Sequence, residues 1–176
     1  NWSRFTTLLS SRIINDFMKP LTDESRKDVF IIDDSLFDRS RSNKTELLAK
    51  VFDHCSMKYK RGYRMLTLGW SDGNSFVPIN HRLLSAADDK NLLCKAANFD
   101  GRSLAGKRRK ESRRKATEVL IDLIRAAQSS GVSAKYVLFD SWFSSPKTIT
   151  ALKTNCELDT IAMVKKSSKI KYGYQG

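Results

Sequence analysis

Val29-Phe30-Ile31-Ile32-Asp33-Asp34 and Tyr136-Val137-Leu138-Phe139-Asp140 decide the reading of this chain. Each is a short apolar run, rich in β-branched and aromatic residues, that stops on carboxylates. Runs of that length and composition read as buried strands. Working outward from the first, a polar loop carrying Arg39, Arg41 and Lys44 leads to a strand-like stretch from Tyr63 to Trp70. Ser71-Asp72-Gly73-Asn74 has turn chemistry, and Phe76-Val77-Pro78-Ile79 reads as the returning strand of an antiparallel hairpin. Around the second run, Val119, Leu120, Leu123, Ile124 and Ala127 mark an amphipathic helix closed by Gly131. Ser145-Pro146 supplies a cap and a first-turn proline for a helix through Ile149 and Leu152, and Thr160 to Val164 is a last strand. At the other end, Trp2, Phe5, Leu9, Ile13 and Phe17 recur at helical spacing, which predicts an amphipathic helix over residues 1–18. Pro20 ends it, and Asp23, Glu24, Arg26 and Lys27 form a polar linker.

The order is three strands, an aperiodic stretch over about 86–115, then helix, strand, helix, strand. A hairpin meander followed by βαβ units makes an α/β fold with a mixed sheet flanked by helices. In the ribonuclease-H-like arrangement the first strand lies centrally, antiparallel to the second and parallel to the fourth. The carboxyl ends carrying Asp34 and Asp140 then lie side by side, where ligands of open α/β sheets collect.

Charge narrows the partner. The 176 residues hold 32 Lys+Arg against 19 Asp+Glu, a net charge of +13 and a pI near 9.8. Such a balance points to a polyanion, DNA or RNA. Hydrophobic residues make up 40%, enough for a core. No apolar run approaches the roughly 18 residues of a membrane span, and no signal peptide opens the chain. Cys55, Cys94 and Cys156 are too few and too scattered for a disulfide framework or a zinc site, which suggests a reducing compartment. Between Arg102 and Lys115 stand eight basic residues and one acid, Glu111. Lys107, Arg108, Arg109, Lys110, Arg113, Arg114 and Lys115 are therefore the candidate DNA contacts, because clustered cations release counterions from phosphates. The bland alternative is a solvated loop.

Two adjacent carboxylates repel unless cations neutralise them. Mg²⁺ takes oxygen ligands from one or two carboxylates plus phosphate oxygens, and a pair of such ions can clamp an in-line phosphoryl displacement. Asp34 and Asp140 are the candidate catalytic and metal-holding residues, with Mg²⁺ or Mn²⁺ as the cofactor. Read singly, each could merely end a strand.

Three segments together carry a family resemblance: Ile31-Ile32-Asp33-Asp34-Ser35; Tyr63 to Ile79 with Leu68-Gly69-Trp70-Ser71-Asp72-Gly73; and Val137-Leu138-Phe139-Asp140-Ser141-Trp142-Phe143. They resemble DDE transposases of bacterial insertion sequences, ribonuclease-H-like enzymes with a β-rich or basic insertion before the last acid. The similarity spans roughly Val29 to Lys165, and Phe139 to Phe143 is its most specific piece. It implies metal-dependent DNA cleavage and strand transfer at transposon ends, with double-stranded DNA as partner, a homodimer on DNA, and a bacterial cytoplasmic, nucleoid-associated location. The first acid falls on Asp33 or Asp34; Asp34 is favoured because a small hydroxyl residue, Ser35, follows it. The second falls on Asp140. The third acid of the family is a Glu on a later helix, and Glu157 stands in the wrong context for it. The expected organisation is a helix and linker over 1–27 and a catalytic core over 28–176, truncated before the third acid and so inactive alone. Rival readings are a ribonuclease-H-like nuclease of another type and a non-catalytic DNA-binding module.

Among the aromatics, Trp70 reads as core, whereas Trp142 and Phe143 follow the second acid where a ring could stack on a displaced base. Trp142 joins the candidate DNA-binding residues. Lys165, Lys166, Lys169 and Lys171 would add backbone contacts. His54 and His81 have no partner at metal-ligand spacing, and nothing marks Cys55 as a nucleophile.

Overall fold

A computed structural model describes residues 1–23, 25–164 and 168. Helix α1 (Trp2–Arg12) runs into a π-helical segment (Ile13–Met18) and a 3₁₀ turn (Lys19–Leu21). Then come β1 (Val29–Asp38), β2 (Ala49–Asp53), β3 (Lys58–Ser71), β4 (Phe76–Leu84), α2 (Leu104–Glu111), α3 (Ala116–Ser129), β5 (Tyr136–Phe139), α4 (Pro146–Cys156) and β6 (Asp159–Ala162).

The six strands form one mixed sheet in the order β2-β3-β1-β5-β6, with β4 also on β3. β1 is antiparallel to β3, from Val29↔Ser71 to Asp38↔Gly62. It is parallel to β5, from Val29↔Tyr136 to Ile31↔Leu138. β6 extends the parallel half. Gly62 pairs with both Asp38 and Ala49, so β2 lies across β3 from β1, along the same edge that β4 follows further on. This is the ribonuclease-H-like arrangement that the order of elements implied.

Alternation along the strands builds the core. Phe30 and Ile32 of β1, Leu66, Leu68 and Trp70 of β3, Ile79 of β4 and Val137 of β5 are buried together. Val119, Leu120, Leu123, Ile124 and Ala127 of α3 cover them, with Ile14 and Leu152 alongside. Each such side chain contributes about 1.5–3 kcal/mol by leaving water. Gly131 closes α3 at φ 87°, a left-handed backbone that a Cβ would strain. The Ser145 hydroxyl accepts from the Thr148 amide at 3.2 Å and starts α4 as its sequence implied.

Three expectations are corrected. The N-terminal helix forms, but its apolar stripe faces outward: Trp2, Phe5, Leu9 and Phe17 are exposed, while Thr7, Ser10, Ser11 and Ile14 are buried. Small hydroxyl residues allow close approach, and their bonds fix it. Ser10 Oγ donates to the Pro78 carbonyl at 2.8 Å, and Asn80 Nδ2 donates to Thr7 Oγ1 at 2.7 Å. Second, β1 runs on to Asp38, and β2 replaces part of the loop expected before Tyr63. The long β3 outreaches β4 and leaves ladder groups that β2 satisfies. Third, the aperiodic stretch holds α2, which is basic all round and capped by Ser103 Oγ on the Gly106 amide at 3.0 Å. A satellite cluster of Leu47, Leu48 and Tyr63, with Leu92 and Cys94 against it, pins this stretch to the sheet.

Candidate active site

Register sets Asp34 and Asp140 on neighbouring strands. Asp34 stands three residues past Ile31 and Asp140 two past its partner Leu138. Neighbouring strands lie about 4.8 Å apart and advance about 3.3 Å per residue, which separates the two Cα atoms by about 6 Å if the register continues. Strict alternation would turn Asp140 to the face of Asp33 rather than Asp34. Strand pairing ends at Phe139, however, and Asp140 enters a turn in which its Oδ1 accepts the Trp142 amide at 2.9 Å.

Arg64 links the two acids. It stands diagonally across from Asp34 on β3, on the sheet face shared by Leu66, Leu68 and Trp70. Its guanidinium donates to the Asp34 carboxylate, whose side chain is only 13% exposed. The same guanidinium lies over the Trp142 ring, 5.3 Å from its centroid. Burial lowers the pKa of Arg64, and the Asp140 charge opposes that shift. Alternation offered the signal that reading for motifs passed over: Arg64 is a cation in the core-facing register of β3.

Asp34, Arg64 and Trp142 line a cleft of about 1000 Å³. The β2–β3 hairpin forms its far wall, where His54 packs edge-on against Phe52 and Trp142, with ring centroids 5.1 and 5.7 Å away. Asp53 locks that hairpin. It accepts from Lys60 at 2.8 Å, from Ser56 Oγ at 2.6 Å and from the Cys55 amide at 3.0 Å. Those donors hold its carboxyl well below the usual range, with Lys60 the main cause, and Lys60 is raised in turn.

The structure treats the other candidates unequally. Asp33 is exposed and meets Ser35 Oγ at 3.4 Å. Phe143 is 1% exposed and belongs to the core, so it is no stacking platform; Trp142 is 49% exposed. In the basic run, Arg109 pairs with Glu46 at 2.7 Å, Arg113 with Asp89 at 2.6 Å and Arg114 with Asp122 at 2.6 Å. Lys107, Arg108, Lys110 and Lys115 are exposed and make no ion pair among the described residues. The run reaches the cleft through Ser85, which lines it and whose amide bonds the Ser112 carbonyl at 2.7 Å. Glu157 is a left-handed helix cap at φ 57°. Lys165, Lys166, Lys169 and Lys171 lie outside the described residues.

Among the described residues no three His, Cys, Asp or Glu side chains converge as a metal cage. Asp34 within β1 and Asp140 just past β5 are nevertheless hard carboxylates of the kind Mg²⁺ takes when phosphate oxygens complete its shell. No described helix is long and apolar enough to cross a membrane. No curated protein and no solved structure matches the chain. The family described as DDE superfamily endonuclease matches residues 1–174, nearly the whole length. With the mixed sheet in view, the chain belongs to the DDE superfamily endonucleases.

Proposed function

We propose that this endonuclease-family chain is the catalytic core of a bacterial insertion-sequence transposase, acting on double-stranded DNA. The observation that carries the reading is the parallel pairing of β1, which bears Asp34, with β5, which Asp140 directly follows, next to a cleft that the basic run reaches through Ser85. Asp34 and Asp140 would hold Mg²⁺ or Mn²⁺, which supplies charge stabilisation for water or a hydroxyl attacking phosphorus. Hydrolysis at a transposon end leaves a 3′-hydroxyl. That hydroxyl then attacks a phosphodiester of the target, so one P–O bond forms as another breaks. Lys107, Arg108, Lys110 and Lys115 bind the backbone without reading bases. Trp142, half-exposed beside Asp140, offers a ring to a base near the scissile phosphate. A homodimer would hold two transposon ends, in the nucleoid of a bacterial cytoplasm. The helix and linker over 1–27 serve the core over 28–176.

The test is the effect of Mn²⁺ on DNA affinity, read by fluorescence anisotropy with a labelled duplex. A metal held jointly by Asp34, Asp140 and phosphate oxygens strengthens DNA binding, and linkage makes the effect reciprocal. Tightening is expected for the wild type and not for Asp34→Asn or Asp140→Asn. A non-catalytic binding module would show no such coupling. A marked preference for an RNA–DNA hybrid over duplex DNA would favour the other ribonuclease-H-like nuclease.

A further inference from the structure

Arg64 has no place in a simple two-carboxylate metal site, yet it occupies the centre of this one. Its guanidinium contacts Asp34, the more enclosed of the two acids. Its other neighbour is the indole of Trp142, whose own amide holds Asp140. One cation therefore touches the first acid directly and the second through its electrostatic field. Of the two other cations on the cleft wall, Lys60 is committed to Asp53 at 2.8 Å, and Lys50 is exposed on β2 and makes no ion pair with either acid among the described residues. Without Arg64, Asp34 would lose its ion-pair partner and the like charge of Asp140 on the neighbouring strand would go unopposed.

We propose that Arg64 is the resident counter-ion of the Asp34–Asp140 pair, a positioning residue that holds Asp34 until a divalent cation displaces it. The proposal rests on the metal-holding reading above and goes beyond it by making metal entry a competition. The cation and the guanidinium seek the same carboxylate oxygens, so binding must break the Arg64–Asp34 hydrogen bond. The released guanidinium keeps a seat on the Trp142 ring, where a cation is attracted by the aromatic face. From there it remains beside the cleft, within the field of an incoming phosphate. Arg64 thereby costs the site some metal affinity and in exchange keeps the empty acids in place.

Isothermal calorimetry with Mn²⁺ alone tests this on the wild type, Arg64→Met, Arg64→Lys and Asp34→Asn. Hydrogen bonds to charged groups are strong enough that losing the competitor should tighten Mn²⁺ binding by about tenfold or more in Arg64→Met. Arg64→Lys keeps the charge and should return affinity towards the wild-type value. Melting curves give a second reading, since Arg64→Met should melt lower than wild type without metal and gain a larger shift from Mn²⁺. A merely structural arginine would lower both values instead. Equal or weaker binding by Arg64→Met, with Asp34→Asn still abolishing binding, overturns the counter-ion role and leaves the metal site standing. Wild-type affinity in Asp34→Asn overturns the metal reading itself.

Discussion

The seven basic residues between Lys107 and Lys115 divide into two groups with different jobs, and DNA binding under varied salt can separate them. Arg109, Arg113 and Arg114 are engaged with Glu46, Asp89 and Asp122. Lys107, Arg108 and Lys110 on α2, and Lys115 ahead of α3, have no ion pair among the described residues. Each phosphate contact on duplex DNA contributes about −0.9 to the slope of log affinity against log salt. Removing three contacts in Lys107→Ala/Arg108→Ala/Lys110→Ala should thus flatten the slope by about 2.7. Over a rise from about 50 to 200 mM salt, the wild type should lose about 40-fold more affinity than the triple variant. Arg113→Ala should leave the slope near that of wild type and lower the melting temperature instead, because it frees the Ala87 carbonyl and the Asp89 carboxylate that it now binds. Anisotropy titrations at four or five salt concentrations measure both. A triple variant whose slope stays within about 0.5 of wild type would refute the division. So would an Arg113→Ala slope change as large as that of three lysine-type contacts.

Two further predictions concern the frame of the site. Asp72 accepts from the Ser75 amide at 2.7 Å, the Asn74 amide at 3.0 Å and Thr22 Oγ1 at 2.9 Å, which together hold its pKa at about 2. Its stabilisation is complete above the ordinary carboxylate pKa near 4 and is lost as pH falls from there through about 2. Asp72→Ala should cost about 2–3 kcal/mol at neutral pH and flatten the acid limb of the melting profile. Asp53→Asn should loosen the β2–β3 hairpin, seen as faster hydrogen exchange at Val51 and Tyr59 with little change in β5. Equal acceleration in β5 would show that the hairpin is not a separate local unit.

What could be read in the sequence followed from burial. β1 and β5 are covered on the core face and paired on both edges, so they appear as continuous apolar runs. Their parallel pairing, which places Asp34 and Asp140 on neighbouring strands, followed from the order of elements. β2 was hidden because Ala49-Lys50-Val51-Phe52-Asp53 is short and mixed, and becomes a strand only where β3 offers it a ladder. The outward face of α1 was hidden for the opposite reason. Its inward contacts are hydroxyl groups and small residues, which carry no hydrophobic period. Arg64 sits in a stretch that reads as an ordinary strand, and its role depends on a diagonal contact with β1 and a ring from beyond β5. Sorting the basic run needed the positions of Glu46 and Asp122, far from Arg109 and nearer Arg114 in sequence, which no charge count supplies.

The central claim is that Asp34 and Asp140 share one divalent centre, and metal-directed backbone cleavage addresses it most directly. Fe²⁺ placed in that centre with ascorbate and peroxide generates short-range oxidants that cut the chain where the iron sits. Two cuts are predicted, one near Asp34 at the end of the apolar half of β1 and one near Asp140 beyond β5, and both should vanish in either Asp34→Asn or Asp140→Asn. A single cut, or a cut near one aspartate that persists when the other is neutralised, would contradict the account.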